Sequence, residues 1–237
     1  MRVRQFLPLA ALMVPLVVVD AAQAQLRGNR GVTLEAFGGV ALYGRFLEQR
    51  FGAPPVGERE LTAGNALTLG GAVGYGLWEN TSVRAEFMWS GTEFEYENDG
   101  PLVDPDGDIE DLADVNLYVA SVSIQRLFGP PRMKVRPYGI AGVSANWWHV
   151  SVPSVGGPGE ILAGDGETQF RWGGVGGVGL LYRAKDRLGV RLEVIRVSSR
   201  NPFDGDDAWR TATGETFDEP THVGVTRVAL GVAYRVR

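Results

Sequence analysis

The chain has 237 residues, of which 22% are charged, with a formal net charge of −5 and no cysteine. That length suits one substantial domain, and all-β barrels of this size form single units. The mixed, slightly acidic balance argues against a nucleic-acid partner, and the lack of thiols excludes disulfides, thiolate metal sites and a lipidated N-terminal cysteine.

The first residues carry the marks of an export signal. Arg2 and Arg4 form a basic start, Phe6 to Val19 an apolar stretch, and Ala22-Gln23-Ala24 a small-residue cleavage site. Residues 1–24 are therefore expected to be a signal peptide removed before Gln25, with residues 25–237 forming one barrel domain. The apolar stretch, about 14 residues long and interrupted by Pro15, is too short for a spanning helix, which needs roughly 20. No later apolar run reaches that length either, so only a closed β-barrel could carry the mature chain across a bilayer.

Beyond Gln25 the sequence reads as period-two segments separated by turn signals. Strands are expected at Val32 to Arg45, Ala66 to Trp78, Ser82 to Tyr96, Val115 to Leu127, Lys134 to Ser151, Gln169 to Arg183, Leu188 to Ser199 and His222 to Val236. The connections between them alternate. Short ones fall at Glu79-Asn80-Thr81, Phe128-Gly129-Pro130-Pro131 and Ala184-Lys185-Asp186-Arg187, and long polar ones at Phe46 to Asn65, Glu97 to Asp114, Val152 to Thr168 and Arg200 to Thr221. Short periplasmic turns alternating with long external loops over an even strand count are the layout of an outer-membrane barrel, with both termini on the periplasmic side.

Within the strands the two faces differ. Val83, Ala85, Phe87 and Trp89 alternate with Arg84 and Glu86, and Val190, Leu192 and Val194 with Arg191 and Glu193. Alternation alone also suits a soluble barrel that buries its apolar face. Three features favour the lipid-facing arrangement: the export signal, the loop asymmetry, and aromatics near strand ends, namely Trp78, Trp89, Tyr138, Trp147, Trp148, Trp172, Tyr182 and Tyr234, as expected of interfacial girdles. The fold class is thus an all-β, eight-stranded antiparallel up-and-down transmembrane barrel; a monomer without a cofactor is the expectation.

At Arg136-Pro137-Tyr138-Gly139-Ile140-Ala141-Gly142-Val143, and again at Gly173-Gly174-Val175-Gly176-Gly177-Val178-Gly179, the sequence resembles the small outer-membrane barrel domains of the OmpA/OmpX type. The charged alternating strand Arg191 to Val197 extends that likeness to the second half of the family's layout. The resemblance implies outer-membrane lipids, lipopolysaccharide and the outer-membrane assembly machinery as partners. Family members usually end in an aromatic residue that this machinery recognises, whereas here the end is Tyr234-Arg235-Val236-Arg237. No peptidoglycan-binding module is expected after the barrel.

Several groups are candidate sites. With charges inward, Glu35, Arg84, Glu86, Arg136, Arg171, Arg191, Glu193 and Arg227 should all enter the lumen, where an eight-stranded bore is filled by side chains and opposite charges must pair. A salt-bridge plug is the favoured reading, and a narrow gated channel the alternative. Carboxylates at alternate positions, Asp104, Asp106 and Asp108, are of the type a hard cation prefers, yet Ile109 and Val115 stand where an EF-hand needs glycine and a bidentate acid, so a solvated acidic loop is the simpler account. Together with Asp204, Asp206 and Asp207 it leaves open a cation bridge to lipopolysaccharide phosphates.

His149 and Ser151 share a strand face. A His-x-Ser pair in such a barrel is similar to the outer-membrane lipid A deacylases, which implies a histidine-activated serine; Val152 replaces the asparagine of that motif, and the candidate third acids are Glu160 and Glu167. A non-catalytic scaffold or surface-interaction barrel is the preferred function and this hydrolase the alternative. The glycine run 173–179 precedes no helical pattern and lacks a lysine, so it is read as relief of crowding, not as a phosphate loop. N-terminal sequencing of the protein recovered from membranes should begin at Gln25; a start at Met1 would refute the cleavable signal.

Overall fold

The structure, a computed structural model, describes residues 31–44, 47–51, 57–99, 109–151, 161–162, 168–202, 210–211 and 221–236. The expected signal peptide and the acidic runs at Asp104, Asp106, Asp108 and Asp204, Asp206, Asp207 lie outside them.

The strands are β1 (Val32–Tyr43), β2 (Leu47–Phe51), β3 (Gly57–Ala63), β4 (Ala66–Trp78), β5 (Thr81–Asp99), β6 (Ile109–Leu127), β7 (Val135–Ser151), β8 (Ile161–Leu162), β9 (Thr168–Arg183), β10 (Leu188–Arg200), β11 (Arg210–Thr211) and β12 (His222–Val236). Eight of them close into an antiparallel ring. Sequential neighbours pair from β4 through β5, β6, β7, β9, β10 and β12 to β1, and β1 returns to β4. The seam runs from Val32 opposite Val236 to Tyr43 opposite Val225. Closure leaves no barrel strand with an unpaired edge, which is what a bilayer demands of a sheet.

Short connections and the chain ends gather at one end of the ring, and the longer segments at the other. There β5 and β6 outlast their neighbours, and β3 pairs with the end of β5 from Glu58 opposite Asp99 to Ala63 opposite Phe94. The stretch from Phe46 to Asn65, expected as loop, therefore contains the β2–β3 hairpin. Its alternation is largely polar because this extension projects past the apolar belt. A smaller pairing, β8 with β11, ties two further connections together.

The outer surface is apolar. Leu34, Val40, Leu67, Leu69, Val122, Ile124, Val143, Val178, Leu192, Val194, Leu230 and Val232 are all exposed, whereas their chain neighbours Arg84, Arg191, Glu193 and Arg227 on the alternate parity are buried. The charged face is thus the inner one. The buried apolar residues Met88, Leu117, Val197, Val225 and Trp148 fill the half of the bore nearer the long connections. Two glycines make room for rings inside. A Cβ at Gly70 would clash with the Phe37 ring, and one at Gly179 with Tyr138.

On a wall that faces lipid in place of water, Leu230→Arg should cost about 2–4 kcal/mol of folding free energy in liposomes. Urea titration of the refolded barrel measures this, and a loss below about 0.5 kcal/mol would contradict a lipid-facing wall.

Candidate functional site

The most organised polar constellation lies in the lumen, in the half nearer the short turns. It is built from four strands by period-two geometry, with β1 supplying Glu35, β5 Arg84 and Glu86, β10 Arg191 and Glu193, and β12 Arg227. Arg84 is the hub. Its Nε donates to Glu35 Oε2 at 2.7 Å, its Nη1 lies 2.6 Å from Glu86 Oε2 and its Nη2 3.3 Å from Glu193 Oε1. Arg227 donates Nη1 to Glu86 Oε1 at 2.6 Å and Nη2 to Glu193 Oε2 at 3.0 Å. Arg191 pairs with Glu35, and its Nε lies 3.0 Å from Glu193 Oε1. Three guanidiniums thus face three carboxylates, and every carboxylate touches at least two arginines.

Neutral groups complete the cluster. The Tyr138 hydroxyl donates to Glu193 Oε1 at 2.6 Å and accepts from Arg191 Nε at 3.1 Å, while Arg191 Nη2 donates to Gln125 Oε1 at 2.7 Å. The guanidinium of Arg227 lies 4.0 Å from the Phe37 ring centre and that of Arg191 4.5 Å from the Tyr138 ring centre. Arg84 is 1% exposed and Glu193 2%. Charges this buried persist only when paired and hydrogen-bonded, and loss of one partner strands the others.

Two of the eight expected lumen charges stand elsewhere. Arg136 is buried but binds no member of the cluster. It donates Nη2 to Asn80 Oδ1 at 2.7 Å and to the Gly129 carbonyl at 3.0 Å, and so clamps the two short turns at the mouth. Gly129 takes a positive φ of 79°, the turn conformation that glycine adopts without strain. Arg171, half-buried near the opposite end, donates Nε to the Asn201 carbonyl at 3.3 Å and Nη2 to the Pro202 carbonyl at 3.0 Å, which fixes the exit of β10.

The aromatic positions divide by parity. Trp172, Tyr182 and Tyr234 are exposed on the outer wall, and Trp89 and Trp147 are half-buried there; Trp89 Nε1 donates to Asn116 Oδ1 at 3.1 Å, whereas Trp78, also expected in the girdle, follows a register irregularity after Gly76 and stands exposed at the mouth of the lumen beside Thr33, Glu35 and Arg136. Trp148, expected in the girdle, is 2% exposed and points inward, where its ring meets Tyr43 edge-on at 6.1 Å. Consecutive residues of one strand cannot face the same side. Tyr138 is inward for the same reason. Parity with Arg136 would have located both, and Gln125 likewise shares its face with Ser121 and Ser123.

The His149 Nδ1 atom lies 3.1 Å from Thr168 Oγ1. Its neighbour there is a hydroxyl, not the carboxylate a nucleophile-activating triad needs. Ser151 closes β7, and its hydroxyl, like Glu160 and Glu167, lies outside the described part. Among the described residues no group of three or more His, Asp or Glu is arranged to hold a metal.

Fold and polarity together define a small eight-stranded barrel of the outer-membrane type. Among solved structures, the outer membrane protein OprG from Pseudomonas aeruginosa is similar at 16% identity and a TM-score of 0.55, over 89% of this chain and 98% of that one. The outer membrane protein AlkL, determined by solid-state NMR in DMPC bilayers, is similar at 16% identity and a TM-score of 0.54, over 90% of this chain and 94% of that one. What is shared at these identities is the fold. No protein-family model and no curated protein matches the chain.

Removing one carboxylate from the cluster leaves three buried arginines with two acids. Glu193→Ala should therefore lower stability by about 3–5 kcal/mol, and the double variant E86Q/R227M should lose less than the sum of its single changes. Equilibrium urea unfolding in detergent or liposomes checks both, and strict additivity would show that the groups do not act as a unit.

Proposed function

We propose that the chain is exported and inserted in the outer membrane, where it acts as a non-catalytic barrel whose wall and external segments meet lipopolysaccharide and other surfaces. The observation that carries this reading is the inverted polarity, an apolar belt outside and a neutralised Arg–Glu cluster inside. A soluble barrel would need the reverse. Under this reading the lumen is shut. Ion passage would require parting Arg84, Arg191 and Arg227 from their carboxylates in a bore that also carries Phe37, Met88 and Trp148.

On β12, Tyr234 and Val236 are exposed on the parity that such a barrel turns to lipid. The hydrolase reading gains no support among the described residues, where His149 Nδ1 meets the Thr168 hydroxyl.

Three measurements test the proposal together. The protein should fractionate with outer membranes and require detergent for extraction. In planar bilayers it should give no porin-scale conductance. Mass spectra of lipid A from cells with and without it should show the same acyl chains. Detergent-free solubility, stable large conductance, or loss of an acyl chain that depends on Ser151 would each overturn the corresponding part.

A further inference from the structure

Cations on a lipid-facing wall are expensive unless they reach the interface or an anionic partner. On β10 the outward parity runs Leu192, Val194, Arg196, Ser198 and Arg200, so the apolar column gives way to two exposed arginines at the end bearing the long connections. Arg200 pairs in register with the exposed His222 of β12, and Arg196 with Thr226. Among the described residues neither arginine forms an ion pair.

Their placement is built into the wall. A Cβ at Gly224 would lie 2.8 Å from Arg196 Cζ, so the guanidinium rests on the Gly224 backbone. Gly224 pairs with Ser198, one outward step beyond Arg196, which turns the side chain along the strand toward Arg200 and His222. The Arg171 bonds to the Asn201 and Pro202 carbonyls hold the end of β10 that carries Arg200.

Beside these cations lies an aromatic shelf. Ser199 pairs with Gly173, so Arg200 stands next to Trp172, which is 70% exposed. The Trp172 ring meets Phe170 at 5.2 Å, and Phe170 meets Trp147 at 5.4 Å. Toward the short-turn end, Leu192, Val194, Val228 and Leu230 continue the same wall as an apolar surface.

We propose that this face of β9, β10 and β12 binds the phosphorylated glucosamine headgroup of a lipid A-type glycolipid. The inference rests on the outer-membrane reading above. Arg196, Arg200 and His222 take the phosphate, the Trp172–Phe170–Trp147 shelf takes the sugar ring, and the apolar wall takes the acyl chains. A phosphate monoester carries about −1.5 to −2 charges and three acceptor oxygens, which match two guanidiniums better than the single charge of a phospholipid diester. A glycerol headgroup also has no ring to lie on the shelf.

Native mass spectrometry of the mature protein in detergent tests this, with bisphosphorylated lipid A, its dephosphorylated form and phosphatidylglycerol as probes and inorganic phosphate as competitor. Bisphosphorylated lipid A should be retained about tenfold better than the other two lipids, and R196Q/R200Q should abolish that preference, while R196K/R200K keeps part of it. Inorganic phosphate at millimolar concentration should not displace the lipid, because it lacks the ring and the chains.

Should R196Q/R200Q fail to fold, as judged by heat-modifiable migration, Gly224→Val displaces the Arg196 guanidinium without removing charge and should weaken retention in the same direction. Equal retention by wild type and R196Q/R200Q, or equal retention of phosphatidylglycerol and lipid A, would overturn the site while leaving the membrane assignment intact. A wild-type protein that stays soluble without detergent would overturn the membrane assignment itself.

Discussion

A sheet placed in hydrocarbon must satisfy every backbone amide from within, and the pairing of β1 with β12 is what lets this chain do so. The seam joins residues more than 180 positions apart, from Val32 opposite Val236 to Tyr43 opposite Val225. Once it closes, an eight-stranded ring has a bore only wide enough for side chains. Wall polarity, lumen filling and the position of each charge then follow from the parity of each strand relative to that ring.

Inside, the confinement is met in two ways. The half nearer the long connections is packed with apolar groups, Met88, Leu117, Trp148, Val197 and Val225 among them. The other half holds the arginines and glutamates, neutralised as a set and not as isolated pairs. Arg84 touches all three carboxylates, and Glu193 all three arginines. This cross-linking ties β1, β5, β10 and β12 across the bore, so the cluster opposes any change of barrel cross-section. The aromatic rings of Phe37 and Tyr138 cover two of the guanidiniums and are themselves seated on Gly70 and Gly179. Ring, glycine and cation form one packing unit.

The two ends are finished by single arginines that serve the backbone. Arg136 gathers carbonyl and amide oxygens of the short turns, and Arg171 gathers the carbonyls where β10 ends. Backbone oxygens at strand ends have lost their ladder partners, and a planar guanidinium with five donors can satisfy several at once. The same fold supports many roles, so what distinguishes this chain is sought in the side chains its wall carries. The outward cations of β10 and the aromatic shelf on β7 and β9 are such side chains, placed where the apolar belt gives way.

By itself the sequence determined the count of barrel strands, their approximate positions and the alternation of apolar and charged faces, because side-chain period and turn chemistry are local. Ala66 to Trp78 and His222 to Val236 were legible to the residue, and most other barrel strands to within a few. The β2–β3 hairpin was not, since its residues lack the apolar face that marks a strand within the belt. That Arg84, Arg191 and Arg227 share carboxylates with Glu35, Glu86 and Glu193, while Arg136 and Arg171 bind carbonyls instead, was decided only by the tertiary structure. Partners across a barrel depend on the registers of all eight strands and on the tilt they impose, and no local pattern carries that sum. Trp148 shows the boundary between the two. Its inward direction was implied by its parity with Arg136, but its contact with Tyr43 exists only because closure brings β1 and β7 to face each other across the bore.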